Sequence, residues 1–395
     1  MQKNDRYAFY NRGISHDRSG DFAAAIHDFS EAIRLMPTKA DFYHNRGFCH
    51  RKREDFARSI LDYTAALAID PRHFKAVYNR AFAYGKLGQY ERAILDYTQA
   101  LSLDTQNASA FYFRGTIHEK LRNLESALQD FSSSLKIEPT SAIAYNARAL
   151  VLDLLDRREE ALADFSLAIK FDPNNPVYYH NRGYCHRNAS MWKKARTICV
   201  RGVLVTDNIG LRFPIIVTSS MQANEDYSEA IRLDSTNSTV HSHRAYTWRK
   251  LRNYERAVED YTKAIELDSS NPKVFSNRAY SYARLGQYRK SVVDYTKSIL
   301  LDAKDPSLYY NRGIAFEKIE CYHKAIEDFS TVVKMDPANA SAYFNRGSLY
   351  DKTGAFEKAM KDYSRAMELD RHAAGSAGQT NSPSGRSEPE RKFNR

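Results

Sequence analysis

An arginine and a carboxylate at fixed spacing are the residues of this sequence most able to do chemistry. The phrase Asn-Arg-Gly, or a near variant of it, recurs around Arg12, Arg46, Arg80, Arg114, Arg148, Arg182, Arg244, Arg278, Arg312 and Arg346. Sixteen residues on, with one interruption in the sixth copy, stand Asp28, Asp62, Asp96, Asp130, Asp164, Asp226, Asp260, Asp294, Asp328 and Asp362. Each Asp is followed by Phe or Tyr and then by Ser or Thr. A carboxylate can act as a catalytic acid or base, and a guanidinium beside it tunes its pKa. An active site is seldom copied ten times in one chain, so the expected use is structural, as a ladder of internal ion pairs. The cluster His44, Cys49 and His50 invites a metal reading, but the two histidines are six residues apart and point in different directions on a helix. Zinc calls for closer spacings, so no metal is expected and no cofactor either. There is no phosphate loop, dinucleotide fingerprint or nucleophile elbow. The chain is expected not to be an enzyme.

The elements that position these residues are read from the beat itself. The Arg phrases step by 34 residues, and ten copies fill most of the 395-residue chain. Within a copy the apolar spacing is helical. Val77, Tyr78 and Phe82 mark one helix, and Tyr90, Ala93, Ile94, Tyr97 and Leu101 mark a second. Gly88 breaks the run between them, and Pro37, Pro71, Pro139, Pro173 and Pro337 close five copies. Each unit is therefore a helical hairpin. Arg80 lies eight residues before Gly88 and Asp96 eight after it, so the two should meet between antiparallel helices.

The 34-residue length, the aromatic near the start, the small residue four later, the Ala of the second helix and the closing Pro resemble the tetratricopeptide repeat (TPR), in an Asn-Arg-Gly subclass. The likeness covers Arg6 to about Ala373. It departs from the family in one respect, because an Arg stands where a large apolar residue is usual. The resemblance implies an all-α solenoid of ten helix-turn-helix repeats over 6–373, wound as a right-handed superhelix, with a short segment 1–5 before it. It also implies a concave groove lined by the first helices, where ligands lie. Residues 374–395 are polar and rich in Gly, Ser and Pro, and are expected to form a disordered tail.

On that face the resemblance places a row of amides at Asn11, Asn45, Asn79, Asn181, Asn277, Asn311 and Asn345. Amides both donate and accept, so such a row can read the backbone of an extended peptide. The alternative is that each Asn merely bonds the preceding turn or water. Steps of three or four along the same helices add Arg51, Lys52, Lys75, Lys86, Arg187, Arg249, Lys250, Lys273, Arg284 and Lys318, with Arg18, Lys120 and Lys352 beside them. Acids at Asp17, Asp41, Glu119, Asp153, Glu317 and Asp351 leave this face at net +7, against +11 for the chain. Tyr10, Tyr78, Tyr112, Tyr310 and Phe344 add aromatic surface there.

The expected function is a protein–protein interaction scaffold that holds extended acidic segments of partner proteins. An RNA-binding solenoid using the same basic and aromatic face is the alternative. Uncapped ends suggest self-association or a longer parent chain. Four cysteines without a CxxC pair, no leader-like start and no long apolar run point to an intracellular, cytoplasmic protein without a membrane contact. One segment breaks the beat. Deleting Thr197–Asn224 restores the 34-residue step, so 197–224 is an insertion in the second helix of the sixth repeat, either a functional loop or a splice or gene-model addition. It is expected to bulge as an irregular loop or weak hairpin over about 197–218, with the helix re-forming from Met221 to Leu233.

Overall fold

The computed structural model describes the backbone of residues 5–199 and 212–378, and the side chains of 6–188 and 219–371. The chain forms two compact units, Met1–Leu204 and Val205–Arg395. Among the described residues the regular structure is all helical, with twenty helices and no strand.

In the first unit the hairpins are α1 (Asp5–Ser19) with α2 (Phe22–Leu35), α3 (Ala40–Lys52) with α4 (Phe56–Ile69) and α5 (Phe74–Lys86) with α6 (Tyr90–Leu103). They continue as α7 (Ala108–Lys120) with α8 (Leu124–Ile137) and α9 (Ala142–Leu154) with α10 (Arg158–Phe171), and the unit closes with α11 (Pro176–Cys199). The second unit opens with α12 (Arg212–Leu233). It then holds α13 (Ser238–Lys250) with α14 (Tyr254–Leu267), α15 (Pro272–Arg284) with α16 (Tyr288–Leu301), α17 (Pro306–Lys318) with α18 (Tyr322–Met335), and α19 (Ala340–Lys352) with α20 (Phe356–Gly378). Within each unit every helix packs on the next. Beyond that, the contacts that recur are between successive first helices, α1 with α3, α3 with α5, α5 with α7 and α7 with α9, and in the other unit α13 with α15 and α15 with α17. None of comparable extent joins two second helices. Within each unit the first helices therefore form the inner face.

Each hairpin turns in the same way. Gly20, Gly88, Gly286 and Gly354 have positive φ, and at the same place in five other repeats Glu54, Arg122, Asp156, Arg252 and Glu320 take φ of 61–62°. The amide one residue later reaches back five residues, as in Asp21 N to the His16 carbonyl and Gln89 N to the Tyr84 carbonyl, both 2.9 Å. That bond closes a Schellman-type end. The second helix then restarts on a cap such as Asp21, whose carboxylate accepts from Ala24 N at 3.0 Å. Between the helices the small residues are functional spacers. A Cβ added to Gly13 would stand 2.8 Å from the Phe29 ring, and one added to Gly47 would stand 3.0 Å from Tyr63 and 3.2 Å from the Ser59 carbonyl. The rings that follow the Asp residues, among them Phe29, Tyr63, Tyr97 and Phe131, are buried, except Tyr363 of the last hairpin, which is half-buried.

The interruption departs from expectation. The sixth repeat does not turn after its first helix, because α11 runs unbroken from Pro176 to Cys199. The helix after the insertion begins at Arg212 rather than Met221, and carries Phe213, Pro214 and Ile215 in its first turn. Its end at Leu233 is as expected, and Ala223 is fully buried. Both edges of the expected loop are thus helical, while 200–211, with Val203 and Leu204, lie outside the described residues. At the far end α20 continues to Gly378, five residues into the segment expected as tail, and 379–395 lie outside the described residues.

Candidate functional site

The Arg–Asp ladder is internal. Arg80 donates from Nε and Nη2 to the two carboxylate oxygens of Asp96, at 2.7 and 2.8 Å. The same bidentate pairing joins Arg12 to Asp28, Arg46 to Asp62, Arg114 to Asp130, Arg148 to Asp164, Arg244 to Asp260, Arg278 to Asp294, Arg312 to Asp328 and Arg346 to Asp362. The tenth candidate pair, Arg182 with Asp226, brackets the insertion, where the chain is not described throughout. The third residue of the Asp phrase, which the sequence left unexplained, is the other half of the device. Arg80 Nη1 donates to Thr64 of the preceding repeat at 3.2 Å, and Arg114, Arg278 and Arg346 do the same to Thr98, Thr262 and Ser330. One guanidinium thus ties its own hairpin and the hairpin before it. The aspartates are buried, so these carboxylates are not open to a ligand.

The Asn row is also largely spent on the fold. Asn45 donates to the Tyr10 hydroxyl at 2.9 Å, Asn181 to Asn146 Oδ1 at 2.9 Å, and Asn345 to the Tyr310 hydroxyl at 3.0 Å. Asn79 Nδ2 lies 3.2 Å from His44 Nε2, and His44 Nδ1 lies 3.0 Å from Asn45 Oδ1. A neutral His44 carrying its proton on Nδ1 satisfies both contacts, giving a relay Asn79–His44–Asn45–Tyr10 through three repeats. Burial supports that neutral form, lowering the His44 pKa to about 4. Asn311 bonds the Ser307 carbonyl of its own helix at 2.8 Å. These five side chains are therefore not the free amides expected in a peptide-reading row. Asn11 and Asn277 make no side-chain hydrogen bond among the described residues, and Asn11 is exposed.

The cations of the inner face divide into two kinds. Lys52, Lys75, Lys86, Lys250, Lys273, Arg284 and Lys318 are exposed. None of these seven makes an ion pair among the described residues, whereas Lys352 is held by Glu317 at 2.6 Å. On the second helices Lys136, Lys170, Lys290, Lys297, Lys334 and Lys361 likewise make no ion pair among the described residues, while other cations there and at the caps find carboxylates one turn away. Arg34 pairs with Glu31, Arg157 with Glu160, Arg232 with Glu229, Lys263 with Glu266 and Arg365 with Glu368. The second kind of inner-face cation is half-buried. Arg51 lies over the rings of Phe48 and Phe82, at 4.8 and 5.0 Å, and Arg249 over Tyr246 and Tyr280, at 4.8 and 5.1 Å. Arg187 lies over Tyr184 at 4.5 Å. Phe48, Tyr246 and Tyr280 were not singled out in the sequence, and Phe82 was read only as an apolar mark of its helix. Their signal is an aromatic two residues after the repeated Arg, followed three residues further on by Arg51 and Arg249 after Phe48 and Tyr246, and by the small Gly85 and Ala283 after Phe82 and Tyr280. The aromatics named from sequence have other roles, since Tyr10 and Tyr310 accept from the Asn row, Tyr78 and Tyr112 are half-buried, and only Phe344 is largely exposed.

The remaining inner-face chemistry is quiet. Cys49 and Cys185 are buried and donate to Asp17 and Asp153 of the preceding repeats, at 3.6 and 3.5 Å. Burial, reinforced by Asp17, pushes the Cys49 thiol up to about 12, so it stays protonated. Among the described residues no group of three His, Cys, Asp or Glu is placed to hold a metal ion, and no helix is long and apolar enough to cross a membrane.

Sequence models of the tetratricopeptide repeat match residues 6–39, 40–73, 74–107, 108–141, 142–175, 272–305, 306–339 and 340–372, and a TPR repeat model matches 245–286. The chain belongs to the tetratricopeptide repeat family. Comparison with curated proteins returns no match. Among solved structures, this TPR protein resembles a tetratricopeptide repeat protein from Parabacteroides merdae ATCC 43184, at 19% identity over 70% of this chain and 99% of that one, with a TM-score of 0.48. It resembles YrrB, titled a TPR protein with an unusual peptide-binding site, at 19% identity over 54% of this chain and 97% of that one, with a TM-score of 0.43. It also resembles a monomeric mutant of IFIT1 with Gppp-AAAA, at 13% identity over 93% and 82% of the two chains, with a TM-score of 0.48.

Proposed function

We propose that this protein is a non-enzymatic scaffold whose first-helix faces bind extended, acidic segments of partner proteins, in the cytoplasm. The observation that carries this reading is a row of seven exposed cations on the first helices, the inner face of each unit, none of which makes an ion pair among the described residues. Unpaired cations on one face raise the local concentration of acidic ligands and speed their encounter. The last hairpin supports self-association as a second mode of assembly. Phe356, Met360 and Met367 are 62%, 62% and 55% exposed, whereas the matching Phe22, Ile26 and Ile33 of the first repeat are covered by neighbours.

The test is a titration of the full chain against arrays of unstructured peptides of graded charge, repeated at rising salt. Selective retention of acidic peptides, weakening as salt rises, is the expected result. Equal retention of neutral and acidic peptides, or preference for a homopolymeric RNA at the same salt, refutes the reading.

A further inference from the structure

Along the inner face the charge is segregated. Five residues after the repeated Arg, the sequence places Asp17, Glu119, Asp153, Glu317 and Asp351 in five repeats, but Arg51, Arg187 and Arg249 in three others. Arg187 lies over one ring, Tyr184, whereas Arg51 and Arg249, one in each compact unit, each lie over two. Around each of these two arginines the same set of groups recurs. Arg51 is flanked by Phe48, Phe82, Lys52 and Lys86, and Arg249 by Tyr246, Tyr280, Lys250 and Arg284. Lys52 and Lys86 lie 5.5 Å from the Phe48 and Phe82 ring centres, and Lys250 lies 5.3 Å from that of Tyr246. One turn beyond Phe82 and Tyr280 on the same faces stand the small residues Gly85 and Ala283, where other repeats carry long charged side chains.

The two guanidiniums differ from every ladder arginine. Nine ladder arginines give two donors to an aspartate, yet Arg51 and Arg249 make no ion pair among the described residues. Arg51 Nε is buried and has no acceptor within hydrogen-bond geometry, and the guanidinium lies close enough to the buried Tyr63 hydroxyl to interact with it. A guanidinium carries five N–H donors in one plane. Lying over two rings fixes that plane and lowers the entropy lost when its edge is used. A planar fork held in place, edged by two further cations and engaged in no ion pair among the described residues, matches a planar carboxylate approached edge-on.

We infer that Arg51 and Arg249 are the centres of two equivalent carboxylate stations, each taking the side chain of one Asp or Glu from an extended peptide. The aromatic rings grip the stem of that side chain, and the flanking cations favour further acids beside it. This deepens the proposed scaffold function and rests on it. It relocates recognition from the Asn row to two discrete points, and it makes geometry rather than summed charge the source of selectivity.

The test uses the full chain and a labelled oligoglutamate of about ten residues, with oligoglutamine and oligouridylate as comparison probes. The variants are Arg51→Lys and Arg249→Lys, which keep the charge and lose the planar fork, and circular dichroism confirms that each retains its helices. Wild-type protein is expected to bind oligoglutamate in preference to both comparison probes. Each Arg→Lys change is expected to weaken that binding about fivefold to tenfold, the loss of a charge-assisted bidentate contact. Variants that bind oligoglutamate as tightly as wild type overturn the stations but leave the scaffold reading in place, since diffuse charge then suffices. Wild-type protein that ignores oligoglutamate overturns both. Tighter binding of oligouridylate, weakened by the same variants, overturns the stations as peptide sites and assigns them to nucleic acid.

Discussion

Replacing Asp96 by Ala should be among the most damaging single changes in the first unit. The Asp96 carboxylate is buried and takes two hydrogen bonds from Arg80, at 2.7 and 2.8 Å. Burial works against the Arg80 charge, and the Asp96 contacts more than compensate, so the guanidinium is held more firmly protonated than usual. Removing Asp96 leaves that charge half-buried with only Thr64 at 3.2 Å as a partner. Breaking a buried pair in this way costs about 3–5 kcal/mol. The Arg80 side chain keeps 17% of its exposure, which allows some rehydration and argues for the lower end, about 3 kcal/mol. A whole domain is stable by only about 5–15 kcal/mol, and a repeat array senses such a loss locally, because each repeat contacts only its neighbours. The assay is urea unfolding of the full chain with hydrogen exchange resolved by repeat. Protection should fall first in α5, α6 and the facing parts of α4 and α7. The discriminating variant is Arg80→Met with Asp96→Leu, which removes both charges and fills the space. It should recover most of the lost stability, because an apolar pair of similar volume avoids desolvation. A double variant as unstable as Asp96→Ala alone would show that the cost lies in packing or in the tie to Thr64, and the stranded-charge reasoning would be wrong.

Two further outcomes follow from the same geometry. Glu54→Gly and Arg122→Gly should each stabilise the chain by up to about 1 kcal/mol, because an L residue with φ near 61° is strained and glycine is not; differential scanning calorimetry reads this as a rise in the first transition, and a fall would mean that the side chain contributes more than the turn costs. In acid, Asp260 and Asp328 should titrate on opposite sides of the ordinary Asp value of about 3.9. Burial pushes Asp260 up, but Arg244 and His241 outweigh it and its folded pKa is lowered, so its stabilisation is present above the unfolded pKa and is lost as pH falls through the folded one. Burial and Glu327 leave Asp328 raised despite Arg312, so its contribution is present below the unfolded pKa and is lost as pH rises through the folded one. Carboxyl NMR shifts of the two residues measure this, and coincident titrations would refute the role given to their neighbours.

Much of the fold was legible because a solenoid repeats its environments. The same residue types meet the same demands at each step of 34, so the Arg, the Asp and the small residue beside the Arg could be read as one device. The groove chemistry was less legible because it is made between repeats. Asn45 spends its amide on Tyr10, thirty-five residues earlier, one position off the period. Reading a single hairpin finds the Asn and its face but not the partner that uses it. The Arg51 and Arg249 stacks were missed for the same reason, since each takes one ring from its own helix and one from the next repeat.

The sixth repeat shows a different limit. Its turn position is Ser190, and nothing local marks Ser190 as unable to turn, because Glu54, Arg122, Asp156, Arg252 and Glu320 all turn without glycine. What holds a non-glycine residue at positive φ is the packing of the second helix back on the first. In most of the regular repeats that packing begins with an aromatic or apolar residue two after the turn (Arg158 in the fifth), a buried Ala or Ser five after it and a ring nine after it, as in Phe56, Ser59 and Tyr63. In the sixth repeat the insertion moves the ring of the Asp phrase away from its expected place, to Tyr227. With that ring carried 28 residues further along the sequence, the sixth repeat lacks the spacing that fixes the turn elsewhere, and α11 runs on to Cys199. The turn is thus a tertiary property in five repeats and in this one, and a local property only in the four repeats that carry glycine.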